Sequence, residues 1–124
     1  MTTRAAIDHK ALLIYLRRNC YGLINAKNGS ASKLIAHFGL NDKKRIREAV
    51  NALRQAEVLI GSSPQGYFIP LSLREAQLAK SFIERSASMK NESLRLALEG
   101  YCWAMDREFG RTGTTITRGG FINV

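Results

Sequence analysis

Residues 39–57, GLNDKKRIREAVNALRQAE, contain the clearest helical period in the chain. Their apolar side chains recur at the spacing of one helix face, i, i+3, i+4, i+7 and i+10. These positions are Ile46, Ala49, Val50, Leu53 and Ala56. Asn41 is suited to cap the N-terminus of this helix, because its side chain accepts hydrogen bonds from the first free backbone N–H groups. The stretch therefore predicts an amphipathic helix over residues 42–57.

A shorter helix is predicted immediately upstream. Leu34, Ile35 and Phe38 lie on one face, Ser30 or Ser32 is the predicted N-cap, and Gly39 is the predicted stop. Only three residues, 39–41, then separate the two predicted helices. A short connection that begins with glycine is typical of a helix-turn-helix corner.

The chain on either side of this corner supplies the other elements of a small domain. Residues 8–18 predict a first helix with Asp8 as N-cap, and residues 19–30 predict a loop with a short strand over residues 23–26. After the third helix, the triplets 58–60 and 67–69 favour strands and flank a Gly/Ser/Pro turn. They predict a β-hairpin that ends at Pro70, which has no N–H for a ladder.

The C-terminal part is predicted to be helical. Ser72 and Glu75 have the spacing of a capping box, and residues 72–109 keep a helical period, as one long helix or as two in sequence. Residues 110–120 are rich in glycine and threonine, which predicts a flexible tail over residues 110–124.

This order of elements predicts a mainly α-helical fold with a small β-hairpin. Helix, loop, helix, tight turn, helix and hairpin is the order of a winged helix-turn-helix domain, here residues 1–70. In such a domain the hairpin is the wing, and the third helix enters the major groove of DNA. Residues 71–109 are then a C-terminal helical extension.

The charge of the chain is strongly positive. Lys and Arg number 19 against ten Asp and Glu, which gives a net charge of +9 and a pI of about 10.1. An imbalance of this size on a small domain indicates an anionic partner, with nucleic acid favoured over an anionic membrane surface. No apolar run approaches a membrane span and the first residues do not resemble a signal peptide, so we expect no membrane partner.

The sequence carries no signature of catalysis or of a bound cofactor. Cys20 and Cys102 are far apart, which excludes a disulfide scaffold and an ordinary zinc finger and favours a reducing compartment. His9 and His37 have no partner at metal-ligand spacing, and GxSxG, HExxH and Walker A motifs are absent. We therefore expect no enzyme activity, no cofactor, no metal and no small-molecule ligand.

The polar side of the third helix carries residues suited to DNA. Lys44 and Asn51 project opposite the apolar stripe, with Arg47 on the flank. Lys and Arg bind guanine edges or phosphates, and Asn pairs with adenine. A solvated surface helix has the same pattern, but the tight turn before this helix and the hairpin after it favour DNA binding.

Residues 39–54, together with the segments Ile60-Gly61-Ser62-Ser63 and Gly66-Tyr67-Phe68-Ile69, resemble short winged-helix proteins of bacteriophages and prophages. The resemblance covers about residues 8–70. It implies a DNA-binding domain in the cytoplasm of a bacterial host, serving in transcription regulation, replication, excision or packaging. Two features depart from the family pattern: Glu57 stands where many members have glycine, and the wing tip, residues 62–65, has no Lys or Arg.

The predicted DNA contacts fall into three sets. Base edges are contacted by Lys44, Arg47 and Asn51, phosphates by Ser32, Lys33, Lys43, Arg45 and Arg54, and the flanking groove by Ser62, Ser63 and Gln65 of the wing.

An aromatic cluster near the C-terminus predicts a contact between two copies of the chain. Side chains at neighbouring positions of a helix point in different directions, so one surface of the same chain does not cover the whole cluster. Tyr101, Trp103 and Met105 are therefore expected to form a homodimer contact or to pack on the first helix. The alternative function is a protein–protein adaptor that uses the winged helix as a scaffold. A third helix covered by the C-terminal helix would favour the adaptor, and an exposed positive face would favour DNA.

Overall fold

The computed structural model describes residues 7–86, 91–110, 114–117 and 120–123. Five α-helices lie in these ranges: α1 (His9–Asn19), α2 (Ala31–Phe38), α3 (Lys44–Gln55), α4 (Leu73–Ser86) and α5 (Glu92–Phe109). A 3₁₀ helix (Leu23–Gly29) follows α1, and a β-hairpin of β1 (Gly61–Ser63) and β2 (Gly66–Phe68) follows α3. The predicted mainly α-helical fold with a small β-hairpin is confirmed.

Side-chain caps fix where most of the N-terminal helices begin. The Asp8 carboxylate accepts from the Lys10 N–H at 3.0 Å, and the Ser30 hydroxyl accepts from the Lys33 N–H at 3.3 Å. Ahead of α3, however, the Asp42 carboxylate accepts from the Lys44 N–H at 3.0 Å, so Asn41 is not the cap. The connection between α2 and α3 consequently spans residues 39–43, two more than predicted.

Gly39 and Glu57 end the two helices of the corner in the left-handed region. Gly39 has φ 64° and its N–H donates to the Ile35 carbonyl. Glu57 has φ 66°, and the N–H groups of Glu57 and Val58 donate to the Arg54 and Leu53 carbonyls at 2.8 and 3.0 Å. This is a Schellman end of α3 built on a non-glycine residue.

The segment predicted as a strand at residues 23–26 is a 3₁₀ helix instead. Its first N–H, that of Leu23, donates to the Glu75 carboxylate at 3.1 Å rather than to a neighbouring strand. Pairing occurs just upstream: the Gly22 N–H donates to the Ile69 carbonyl and the Ile69 N–H to the Cys20 carbonyl, at 2.7 and 2.8 Å. A single parallel bridge therefore takes the place of the expected strand.

The two strands of the hairpin are displaced from the predicted triplets, β1 by three residues towards the C-terminus and β2 by one residue towards the N-terminus. Gly61 pairs with Phe68 and Ser63 with Gly66, so Pro64 and Gln65 alone form the turn. Ile60 lies outside the ladder, and its carbonyl accepts from Arg54 Nε at 2.9 Å instead. The strands thus have the predicted length of three residues, but the loop between them is two residues long instead of six.

β2 packs tightly against the 3₁₀ helix. A Cβ added to Gly66, whose φ is 153°, would lie 2.6 Å from the Ala26 carbonyl oxygen, and one added to Gly29 would lie 2.2 Å from the Tyr67 carbonyl oxygen. Only glycine permits this close approach. It places the hairpin beside the start of α2.

The C-terminal helices complete the core rather than extending away from it. Ser72 caps α4 as predicted, accepting from the Glu75 N–H at 3.2 Å, while Glu75 accepts from the Leu71 and Leu23 N–H groups. The Tyr101 hydroxyl of α5 donates to the Ala76 carbonyl of α4 at 2.8 Å. Among the described residues, the largest fully buried side chains come from both the N-terminal part and α5: Tyr101, Phe68, Leu12, Leu16, Leu34, Ile46, Ile60, Val50 and Cys20.

The tail that was predicted to be flexible contains an antiparallel pair of strands. β3 (Thr114–Thr117) pairs with β4 (Gly120–Asn123), with Thr117 opposite Gly120. The other positions of the predicted tail after Gly110, residues 111–113, 118–119 and 124, lie outside the described residues.

Candidate nucleic-acid interface

The first two turns of α3 present a group of exposed cations. Lys43, Lys44, Arg45 and Arg47 are all exposed, whereas Ile46 and the next apolar positions of the helix are buried. The buried stripe fixes the rotation of α3 about its axis, so these cations are held outward by the packing of the core. Positive side chains at this end oppose the helix dipole, an arrangement that an external anion relieves.

An ion pair partly neutralises this group. Arg45 Nη1 lies 3.3 Å from Glu48 Oε1, one turn along α3, and both side chains are about half exposed. Exposed pairs of this kind contribute less than about 1 kcal/mol, so Arg45 can exchange Glu48 for a phosphate at little cost. The neighbouring Asp42 carboxylate is already used as the cap of Lys44.

The start of α2 adds two further exposed groups. Ser32 and Lys33 are exposed in the first turn of α2, where Ser30 acts as the N-cap. The hydroxyl of Ser32 and the ammonium group of Lys33 are therefore both open to solvent, as a phosphate contact requires.

Arg54 is buried rather than exposed, so the prediction that it contacts a phosphate is corrected. Its side chain is only 5% exposed, Nε donates to the Ile60 carbonyl at 2.9 Å, and Nη2 donates to the Ser62 hydroxyl at 2.7 Å. The guanidinium lies 6.0 Å from the centre of the Tyr67 ring and 5.7 Å from that of Tyr101. Arg54 therefore joins α3 to the hairpin from inside.

The charge of Arg54 survives this burial. Removal from water lowers the pKa of Arg54 to about 10, while the electrostatic influence of Tyr67 and Tyr101 opposes the change. A pKa of about 10 leaves the guanidinium protonated at neutral pH. A cation is thus held beneath the surface at the junction of α3 and the hairpin.

The hairpin offers less to a partner than its hydroxyl-rich sequence predicted. The Ser62 hydroxyl accepts from Arg54, and the Ser63 hydroxyl closes the turn by accepting from the Gln65 and Gly66 N–H groups at 3.2 and 3.3 Å. Both serines are half-buried, whereas Gln65 is exposed. Of the three predicted wing contacts, Gln65 is the exposed one.

α5 covers the C-terminal end of α3 and leaves the N-terminal end open. Gln55 Nε2 of α3 lies 3.1 Å from both the carbonyl and the hydroxyl oxygen of Ser93. A Cβ added to Gly100 of α5 would lie 1.9 Å from the Arg54 carbonyl oxygen, so the two helix backbones touch there. Asn51, between the two ends, is half-buried.

The predicted dimer contact is corrected at two of its three residues. Tyr101 is fully buried and Met105 is 6% exposed, because both side chains fill the core beneath α3 and α4. Trp103 is half-buried. The cluster that suggested self-association belongs largely to the interior of one chain.

A cleft that is not evident from the sequence lies along one flank of α3, from Arg47 to Arg54. Its volume is about 520 Å³, and its lining brings α3 and the hairpin together with α4 and α5. Arg47 and Asn51 both line it. The helical period of the sequence places these two residues on one flank of α3, but it does not show that α4 and α5 form the opposite wall of the cleft.

Comparison of this chain with models of protein families, with curated proteins and with solved structures returned no match.

Over the described ranges, no helix combines the length and apolar character needed to cross a membrane. The same residues contain no group of three or more His, Cys, Asp or Glu side chains placed to hold a metal ion.

Proposed function

We propose that this protein binds duplex DNA as a winged helix-turn-helix protein. The observation that carries the proposal is the cluster of exposed cations on the first two turns of α3, opposite a buried apolar stripe. A helix of this kind enters the major groove with its N-terminal residues first, and α5 leaves that end uncovered. In this proposal the protein acts in the bacterial cytoplasm as a phage or prophage regulator or as a replication, excision or packaging factor.

The proposed contacts differ from the predicted ones by the removal of Arg54, Ser62 and Ser63, whose polar groups are used within the protein. Lys44, Arg47 and Asn51 contact base edges, and Gln65 reaches the flanking backbone from the wing. Phosphates are held by Ser32, Lys33, Lys43 and Arg45. Arg54 acts on DNA only indirectly, by fixing the hairpin relative to α3.

Selection from a random duplex pool at two salt concentrations tests the proposal. We expect a motif that persists at the higher salt. Asn51→Ala should relax the preference at one base position at a cost of about 1–3 kcal/mol, whereas Lys43→Ala should weaken all sequences alike and reduce the salt slope by about one unit. A palindromic motif would indicate two copies on DNA, which would then associate through a surface other than Tyr101 and Met105.

Arg17→Ala is the matched control for Lys43→Ala. Arg17 is exposed in the last turn of α1, near Pro70 and Arg107, and its loss removes the same charge away from the N-terminal end of α3. If Arg17→Ala and Lys43→Ala weaken binding equally, the attraction comes from overall charge and the proposed interface is wrong.

The adaptor remains the second candidate because α5 covers one end of α3. The Gln55–Ser93 hydrogen bonds and the Gly100 contact occupy part of the surface that DNA-binding helices keep free. Absence of binding to any duplex at low salt would favour this candidate over DNA.

A further inference from the structure

The cleft beside α3 has the size and composition of a ligand site. Its volume of about 520 Å³ lies within the roughly 300–1,000 Å³ of typical small-molecule sites. One side is polar, with Arg47, Asn51 and Arg54 at i, i+4 and i+7 along α3. The other side is apolar, with Phe82 of α4 and Leu94 of α5.

Arg54 makes this cleft chemically unusual. It lines the cleft with 95% of its side-chain surface buried, yet its two hydrogen bonds go to uncharged oxygens, those of Ile60 and Ser62. No carboxylate among the described residues lies within ion-pair distance of Arg54. A buried cation without an opposite charge is costly, and an anion placed beside it recovers part of that cost.

The cation at the entrance of the cleft and the apolar wall of the cleft restrict the chemistry of the ligand. Arg47 is exposed at the edge of the cleft, so a second positive charge faces an entering anion. Asn51 can donate from its side-chain amide to the same anion. Phe82, Leu94 and Pro64 offer a surface for an apolar body. A carboxylate attached to an apolar group of a few carbon atoms matches both sides.

We propose that the cleft between α3, the β1–β2 hairpin and α4–α5 binds a small organic carboxylate, with its anionic head at Arg54 and its apolar body against Phe82 and Leu94. Arg47 and Asn51 also belong to the proposed DNA contacts, so an occupied cleft weakens DNA binding. That consequence rests on the proposed function, whereas binding of the carboxylate does not.

Titration of the full chain with 4-phenylbutyrate, without DNA, tests the site. In ¹⁵N NMR spectra we expect shifts at the Asn51 side-chain amide and the Arg54 Nε–H, and at least tenfold weaker binding of the neutral 4-phenylbutyramide. Arg54→Met should remove binding, while Arg95→Met, which removes an exposed cation next to Leu94, should leave it unchanged.

Leu94→Glu gives a second test in case Arg54→Met does not fold. Leu94 is half-buried on the cleft wall, so a carboxylate there competes for the Arg54 charge and should reduce binding at least tenfold. Equal binding of the acid and the amide, or shifts confined to Lys43, Lys44 and Arg45, would overturn the proposal. An inorganic phosphate titration that reproduces the Asn51 and Arg54 shifts as strongly would also overturn it, because it would assign the cleft to phosphate rather than to a carboxylate with an apolar body.

A separate measurement concerns DNA. If the carboxylate binds but duplex affinity is zero with and without it, the proposed function fails and the ligand site stands. If the duplex binds but 4-phenylbutyrate shifts no cleft signal, the ligand site fails and the proposed function stands.

Discussion

Gly100→Ala tests the closest contact between α5 and α3. The added methyl carbon would lie 1.9 Å from the carbonyl oxygen of Arg54 and 2.9 Å from its carbonyl carbon. Both atoms belong to the backbone of α3, so no side-chain rotation relieves the overlap. An ordinary contact begins near 3.4 Å, and reaching it requires the two helices to separate by about 1.5 Å.

Two opposing terms set the size of the effect. Overpacking of a well-packed interior costs about 1–3 kcal/mol, and the rigidity of both partners here places the cost at the upper end. Alanine is about 1 kcal/mol more favourable than glycine inside a helix, which offsets part of it. We therefore expect Gly100→Ala to lower the free energy of unfolding by about 2 kcal/mol and the Tm by about 8 °C.

Urea unfolding followed by circular dichroism measures the change, with Glu99→Ala as the control. Glu99 is the exposed residue before Gly100, so its replacement alters the helix without entering the contact and should stay within about 0.5 kcal/mol. If Gly100→Ala leaves stability unchanged or raises it, helix propensity outweighs packing and the α3–α5 contact described above is not present in solution.

Three further predictions concern the turns and one buried thiol. Gly66→Ala should lower the free energy of unfolding in urea by about 2–3 kcal/mol, because the positive φ is strained for alanine and the added Cβ overlaps neighbouring backbone atoms. Gly39→Ala should lower it by only about 1 kcal/mol, because its φ is also positive but nothing lies within 4 Å of the added Cβ. Glu57→Gly should stabilise the protein by up to about 1 kcal/mol in the same assay, because glycine adopts the positive φ of this position without strain. The measurement uses an Arg107→Ala background, which removes the Arg107–Glu57 ion pair, and a lower free energy of unfolding would show that the φ of Glu57 carries no strain. Burial raises the pKa of Cys20 from 9.0 to about 11, so the unfolded thiol ionises first and about 1 kcal/mol of stability should be lost between pH 8 and pH 10. Cys20→Ser should remove that part of the pH dependence, and an identical pH profile would contradict the burial of the thiol.

Most of the helices and their ends were predictable because local patterns determine them; the start of α3 is the exception, since Asp42 rather than Asn41 accepts from its first N–H group. The spacing of Ile46 to Leu53 is enough to define the buried side of α3, and Asp8, Ser30 and Ser72 act as caps through atoms two or three residues away. Gly39 also ends α2 as predicted. Each of these features depends on residues that are near one another in the chain.

The larger errors fall where distant residues determine the structure. The 3₁₀ helix is held at Leu23 by Glu75, 52 positions away, and no pattern within residues 19–30 contains that information. Arg54 lies about 80° around α3 from Ile46, on the boundary between its two faces, where period alone does not separate a surface cation from a buried one. Packing of α5 and the hairpin makes it buried. Tyr101 was misassigned for a related reason, since its partner, the Ala76 carbonyl, lies on another helix.

The attachment of the hairpin to α3 through Arg54 affects the entropy of any association at this surface. A hairpin that is flexible in the unbound protein loses conformational entropy when a partner orders it, and that loss weakens binding. Here two hydrogen bonds from one guanidinium and the glycine contacts of β2 have already ordered the hairpin when the chain folds. The entropic cost of ordering the hairpin is therefore offset during folding, and the surface formed by α3 and the hairpin is preorganised before a partner binds.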